Sequence, residues 1–347
     1  MKYSIEEIHN DTYEACDLSS YARFSQSLWY KEAQEMQGKK SIAFFAYNTH
    51  QEKVMHIRFF LYTLFSLVNI RLYAAYAPYA PTWKDGIGDE EKKEIVEALF
   101  LYIDTKKYKD IVFFRIDENV AIEKQRKENR HVHVVLGKAR RGSFMQPEHE
   151  YRVSLKEEEK EIRARMHIGL RRDIQLGERD GASCVIYDDL FADHFDTFYA
   201  LMEETAKRNS FSLHTKSYYK NLFVVLEKNK TALLSFVYEG ETLLATALIY
   251  LYSNEAYYAF GASKRGEHIH TAPAYMHYAL LQEVKKRGFL YYNLGGVSRK
   301  EDTQHTWAGL SFFKRKFGGE EVSRVFCYDL VKKPYIYYLF VFYKYIR

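Results

Sequence analysis

The apolar pattern of this chain runs twice through one succession of strand, helix, meander and helix, and few architectures can bury such a pattern. In the first half, residues 41–47 are β-rich, and residues 90–108 carry apolar side chains at helical spacing (Ile95, Leu99, Ile103). Residues 110–116 read as a buried strand, and residues 76–81, with two prolines, as a loop. Residues 54–62 and 67–76, interrupted only by Thr63 and Ser66, fit strand and buried helix equally. In the second half, residues 194–208 and 218–227 read as helices. Residues 232–239 and 242–251 read as strands around Gly240, and 256–260 as another strand. Residues 274–287 predict a helix stopped by Gly288, and 289–294 a buried strand that stops at Gly295-Gly296. Sheets flanked by helices satisfy such alternation, and 347 residues suit two domains. The expected fold class is α/β with mixed sheets, duplicated without any letter-level repeat.

Residues 140–150, with Gly142 and Pro147 among charges, look like the crossover between the two units. Ser154 followed by Glu157 has the spacing of a capping box and predicts a helix start. The first turn is acidic and the later turns carry Arg163, Arg165, Arg171 and Arg172, an order that complements the helix dipole. Ile162, Met166, Leu170 and Ile174 recur every four residues and predict its buried stripe.

Composition excludes more than it selects. A net charge of +5 fits a polyanionic partner without demanding one. Three distant cysteines (Cys16, Cys184, Cys327) form neither a disulfide framework nor a redox pair, which points to a reducing compartment. The N-terminus has no apolar signal core, and the apolar run between Arg58 and Arg71 is too short for a bilayer, so the expected location is cytoplasmic. No carboxylate or cysteine completes a metal set with His131 and His133 or with His268 and His270, and no phosphate-binding or dinucleotide loop is present, so neither metal nor cofactor is expected. The aromatic and basic tail, 334–347, reads as a helix packed on the first domain or as a contact with the inner membrane surface.

One motif carries chemistry. In Ser311-Phe312-Phe313-Lys314-Arg315-Lys316-Phe317-Gly318-Gly319, three cations sit among three aromatics before a double glycine. It reads either as an aromatic core turn with solvated charges or as a lysine on an aromatic floor, where its charge acts strongly on an oxyanion. Tyr292-Asn293-Leu294-Gly295-Gly296 precedes it by a short polar loop.

Together these segments resemble the C-terminal signature of the Fem family of peptidoglycan aminoacyltransferases. The resemblance extends to residues 24–31 (a Gln…Trp…Lys segment ending at Lys31), the loop at 76–81, and Phe114-Arg115-Ile116-Asp117. It also covers the basic helix running to Gly181 and the stretch from Glu204 through Arg208 to His214 and Tyr218-Tyr219. The family often has arginine where His214 stands and aspartate where Asn293 stands.

What the resemblance implies is specific. The fold would be two tandem acetyltransferase-like (GNAT) domains in the short form without a helical arm. The first would comprise 1–150 plus 325–347 and bind the precursor; the second, 151–324, would bind the donor and catalyse. The reaction would move an amino acid from aminoacyl-tRNA to an amine of a UDP- or lipid-linked muramyl peptide. Lys314, with Phe313, would stabilise the carboxylate or oxyanion. Lys31 and His214 would hold the precursor's phosphates, Tyr218 and Tyr258 would hydrogen-bond it, and Asp117 would lie near the peptide. Charge alone makes Arg163, Arg165, Arg171 and Arg172 candidates for tRNA phosphates, and no DNA partner is expected. The competing expectations are a GNAT N-acyltransferase with another acyl donor and a non-catalytic RNA- or precursor-binding protein. Lys264-Arg265-Gly266-Glu267 does not form the pyrophosphate-cradling turn of acetyl-CoA enzymes, which argues against that donor.

Overall fold

The computed structural model describes residues 2–9, 12–67, 70–104, 108–118, 139–141, 145–189, 191–265, 271–323 and 327–346. They form two compact units, one of residues 1–148 with 323–347 and one of residues 149–322. His131, His133, His268 and His270 lie outside the described residues.

The first unit opens with β1 (Ser4–Ile8), α1 (Leu28–Met36), β2 (Ser41–Tyr47), β3 (Lys53–Leu67) and β4 (Ile70–Ala77). It continues with β5 (Thr82–Trp83), α2 (Asp89–Ile103), β6 (Ile111–Asp117) and β7 (Ala139–Arg141). The second unit runs through β8 (His149–Ser154), α3 (Glu159–Arg165), α4 (Ile168–Arg179), β9 (Ala182–Tyr187), α5 (Phe191–Asn209) and α6 (Lys216–Asn229). It then adds β10 (Ala232–Glu239), β11 (Thr242–Tyr252), β12 (Glu255–Ser263), α7 (Ala272–Lys286), β13 (Tyr291–Val297), α8 (Ala308–Arg315) and β14 (Glu320–Ser323). The chain returns to the first unit with β15 (Cys327–Val331) and α9 (Pro334–Ile346).

In the first unit the sheet order is β1-β2-β3-β4-β6-β15-β7, with β5 on β3. The two ambiguous apolar runs are the arms of one hairpin, paired from Phe60↔Tyr76 to Leu67↔Ile70. They are apolar on successive residues because β3 and β4 are interior strands whose backbones bond sideways while their inner stretches are covered. Ile95, Leu99 and Ile103 of α2 join Phe44, Phe59 and Phe114 in the core. β4 and β6 run parallel and stay paired from Tyr73↔Ile111 to Ala77↔Ile116. Arg115 and Asp329 form a buried two-pronged ion pair across β6 and β15, both contacts 2.7 Å. Tyr337 of α9 donates to the same carboxylate at 2.8 Å and packs edge-on against Phe113. The tail is thus a helix docked on its own unit's sheet, with Tyr335, Tyr338, Leu339 and Phe342 exposed.

The second sheet has the order β14-β8-β13-β12-β11-β10-β9. Two sequence expectations are corrected here. The helix expected after Ser154 is two helices, because Met166 is extended (ψ 144°) and His167 starts a new cap, its Nδ1 accepting from Gly169 N at 3.1 Å. Glu158, with Glu161 reaching back to its backbone, caps α3; Ser154 instead donates to Glu157. The stripe of Ile162, Met166, Leu170 and Ile174 is nonetheless wholly buried, since the break lies between two turns that face the same core. The strand expected to stop at the double glycine starts later and runs through it to Val297, with an irregularity against β8 between Asn293 and Gly296.

Candidate active site

The second unit's site begins with a parallel pair that parts. β12 and β13 are paired only at Glu255↔Tyr291, Ala256↔Tyr292 and Tyr257↔Asn293. Beyond that point β12 carries a bulge opposite Leu248 and Ile249, which lays Tyr258 along its own strand. The phenol ends over Gly261, where a Cβ would lie 2.1 Å from Tyr258 Oη. A cavity of about 400 Å³ opens here, and Tyr258, Gly261, Ser263, His277, Phe313 and Lys314 are among its lining residues.

Helix α8 brings Lys314 to this cavity, and its polar face explains how it is held. Ser311 Oγ accepts from Ser298 N at 2.8 Å, Arg315 donates to Ser298 O, and Lys314 Nζ donates to Gly296 O at 2.7 Å. These residues, at i, i+3 and i+4, fasten the helix to the end of β13. The double glycine that follows serves packing. A Cβ on Gly318 would sit 2.4 Å from Arg165 O and one on Gly319 2.2 Å from Arg152 O, so the turn lies directly on neighbouring backbone. Tyr151 Oη, donating towards Arg315 O and Gly319 O, and His167 N, donating to Lys316 O, pin it there.

Lys314 is 5% exposed. Burial pulls its pKa down to about 8, with the Glu150 charge acting in the other direction. Its Nζ lies 5.9 Å from the Tyr258 ring centroid. Burial raises the Tyr258 phenol to about 12, so it stays protonated at neutral pH. Phe313 is partly buried against His277 and Phe317. The Lys314 charge is thus buried beside Tyr258 and not solvated.

Two members of this site escaped sequence reasoning. His277, on the buried side of α7, contacts the Tyr292 hydroxyl through Nδ1 at 2.7 Å and meets Tyr258 edge-on at 4.6 Å. Burial and the Lys314 charge lower its pKa to about 3, so the imidazole is neutral at ordinary pH. A histidine on a helix face otherwise reads as packing, and only its neighbours reveal it. The other is the carboxylate environment of Asn293. Its Nδ2 donates to Glu150 at 3.0 Å and to Glu255 at 3.1 Å, while its Oδ1 accepts from Gly295 N at 2.8 Å. Asn293 thus bridges two glutamates, which an amide can do and a third carboxylate would resist.

The remaining sequence candidates fall in three places. His214 and Tyr218 stack on each other at 4.2 Å at the start of α6, with His214 exposed and burial raising Tyr218 to about 12. Arg163, Arg171 and Arg172 line a concavity of about 550 Å³ with Lys160, whereas Arg165 is paired with Glu157 at 3.1 Å and does not line it. Lys31 and Asp117 belong to the first unit. Lys31 lies on α1, 3.9 Å from Glu35. Asp117 is fully buried at the end of β6, where Oδ2 accepts from Tyr76 Oη at 2.5 Å and from Met145 N and Gln146 N at 3.3 Å. Among the described residues no group of histidines, cysteines and carboxylates could hold a metal. No described helix is long and apolar enough to cross a membrane. All three cysteines are free, and burial raises the Cys184 thiol to about 12.

Comparison with known proteins follows from this geometry. A crystal structure of FemX superposes with a TM-score of 0.80 at 15% identity, covering 96% of this chain and 99% of that one. A tandem GNAT protein from the clavulanic acid biosynthesis pathway matches at 0.56 and 10% identity, over 95% of this chain and 98% of that one. The C-terminal domain of a putative lysylphosphatidylglycerol synthetase from Agrobacterium fabrum matches at 0.54 and 13%, over 92% and 90%. No curated protein matches in sequence. The architecture is therefore two tandem GNAT-like domains with mixed sheets. The sequence pattern of the FemAB family matches residues 17–237 and 225–344, nearly the entire length, and the chain belongs to the FemAB family.

Proposed function

We propose that this protein transfers an amino acid from aminoacyl-tRNA to an amine of a muramyl peptide precursor, in the interpeptide bridge chemistry of its family. The observation that carries the reading is Lys314, a buried ammonium held on the Gly296 carbonyl beside a cavity with no cysteine among its described lining residues. An aminoacyl ester is already activated, so transfer needs positioning and charge stabilisation rather than an enzyme nucleophile. The neutral precursor amine attacks the ester carbonyl, the bond to the ribose oxygen breaks, and that oxygen leaves as the alcohol with a proton from the attacking nitrogen. Lys314 stabilises the intervening oxyanion, and the protonated Tyr258 phenol donates to the bound substrate. Phe313 walls the cavity.

The concavity of Lys160, Arg163, Arg171 and Arg172 is the proposed seat for tRNA phosphates; Arg165 lies outside it, and Arg163 within it is paired with Glu178 at 3.5 Å. Each unit offers its own proposed precursor contact for a UDP- or lipid-linked substrate, Lys31 in the first and His214 with Tyr218 in the second, while the fully buried Asp117 is left out of direct contact. The exposed aromatic face of α9 suits a protein working at the inner membrane surface. Incubation with mixed aminoacyl-tRNAs and precursor, followed by mass measurement of the product, tests the reading. The expected result is a precursor heavier by one amino-acid residue, abolished by RNase. Product formation that survives RNase and requires an acyl-CoA would overturn the donor assignment.

A further inference from the structure

The last turn of α5 enters the same cavity with a cation that the mechanism above leaves unused. Arg208 lines the cavity, and its Nε and Nη1 are buried without a hydrogen-bond partner. No carboxylate is among the described residues lining the cavity. A buried guanidinium with unmatched N–H groups is costly, because each lost hydrogen bond to water goes unreplaced. The backbone around it is fixed: Ser210 takes a left-handed conformation (φ 54°) and Phe211 N donates to Ala206 O at 3.2 Å, the closure of a Schellman motif. That turn sets Phe211, 44% exposed, into the lining beside Arg208.

We propose that Arg208 and Phe211 form a nucleotide subsite, the guanidinium taking a phosphate and the ring stacking on the base. This deepens the proposed function, on which it rests, by placing the terminal nucleotide of the acyl donor. An exposed aromatic beside an unsatisfied arginine is the pairing that holds a single nucleotide, since every base has a stacking face and arginine matches a phosphate fork to fork. A carboxylate ligand would engage the arginine but leave the exposed ring without a role. The subsite is also set apart from the reacting centre. Thr205, one turn before Arg208, donates to Ser263 O, whereas Lys314 faces Tyr258. The Tyr258 phenol ends at Gly261, two residues before Ser263, so the two cations approach β12 at points roughly 7 Å apart at strand rise. The acyl group and the phosphate of one nucleotide ester thus have separate cations waiting for them.

The test is direct binding of adenosine 5′-monophosphate, adenosine and the dipeptide D-alanyl-D-alanine to the full chain and to Arg208→Gln, Arg208→Lys and Phe211→Ala. The wild type should bind the monophosphate about tenfold or more tightly than adenosine, the size of a charge-assisted hydrogen bond. Arg208→Gln should remove that preference while leaving adenosine affinity unchanged; Arg208→Lys should restore part of it. Phe211→Ala should weaken binding of adenosine and its monophosphate together. In transfer assays Arg208→Gln should raise KM for the donor with kcat within about twofold, as lost uniform binding does. Equal affinity of the wild type for adenosine and its monophosphate would overturn the subsite. So would unchanged monophosphate binding by Arg208→Gln, or loss of the dipeptide alone. If the nucleotide binds through Arg208 but aminoacyl-tRNA supports no transfer, the subsite stands and the proposed function falls.

Discussion

Each unit has a parallel strand pair at the centre of its sheet, and the two pairs are built to opposite ends. In the first unit β4 and β6 stay paired from Tyr73 to Ala77 across one irregularity, and Oδ2 of Asp117 at the end of β6 is held by Tyr76 and two backbone amides. In the second unit β12 and β13 part after three pairs, and the space between them receives Lys314. The difference lies in small features. A bulge lays Tyr258 along its strand, Gly261 lets it lie there, and the Gly295-Gly296 kink turns β13 aside. The same architecture stores buried charge as a closed structural pair in one unit and as an open, usable cation in the other. Arg115 has a partner with two matching oxygens; Lys314 has one carbonyl and a cavity.

The largest expected effect comes from breaking the closed pair. Asp329→Ala leaves Arg115 buried without its carboxylate, which should cost about 3–5 kcal/mol. Hydrogen exchange should show β6 and β15 losing protection while β10 to β13 keep theirs; uniform loss in both units would show that the pair does not serve its own sheet alone.

Breaking the open site should cost activity rather than stability. Lys314→Ala should lower transfer about 10²–10³-fold, the usual loss for one preorganised charge at an oxyanion. Because burial holds the lysine at about 8, its ammonium form disappears as pH rises through that value, and wild-type turnover should fall there. Stability should move the other way. The unfolded chain has the higher lysine pKa, 10.5, and holds the proton more tightly, so folding gains as pH rises from about 8 to 10.5. Lys314→Met should abolish that gain. Turnover and stability that rise and fall together across this range would remove Lys314 from the chemistry.

A smaller effect sharpens the comparison further. Gly261→Ala puts a methyl against the Tyr258 hydroxyl and should cost about 1–3 kcal/mol by overpacking, with a matching loss of transfer. In a Tyr258→Ala background the same change should be nearly neutral, since nothing then occupies the space. Additive losses in the double variant would mean that the glycine serves the strand and not the phenol.

The sequence reached the fold more easily than the site. Helical spacing in α2, α5 and α7 and the turn at Gly240 were legible because each depends on residues a few positions apart. The hairpin of β3 and β4 was not, because a continuous apolar run records burial and not period. The break at Met166 left no sign either, since both helices present the same stripe to one core. Lys314 and Phe313 stood out through their local motif, whereas His277 and Arg208 look like ordinary helix residues until the residues around them are known.

By itself the sequence determined two mixed α/β units, the mild positive charge and the lysine set among aromatics, all of which are properties of composition and short-range spacing. Tertiary structure alone decided which unit opens. It decided that the double glycine after Lys316 is a packing surface and that Asn293 bridges Glu150 and Glu255. It also decided the arginines' partners, giving Arg165 to Glu157 and Arg163 to Glu178 and leaving two nitrogens of Arg208 unmatched at the cavity. The physical reason is that pKa, hydrogen-bond satisfaction and steric allowance are set by atoms brought together from distant segments. Burial moves Lys314 to about 8, and that burial is assembled from α5, β12, α7 and α8, whose lining residues span more than a hundred positions of the chain.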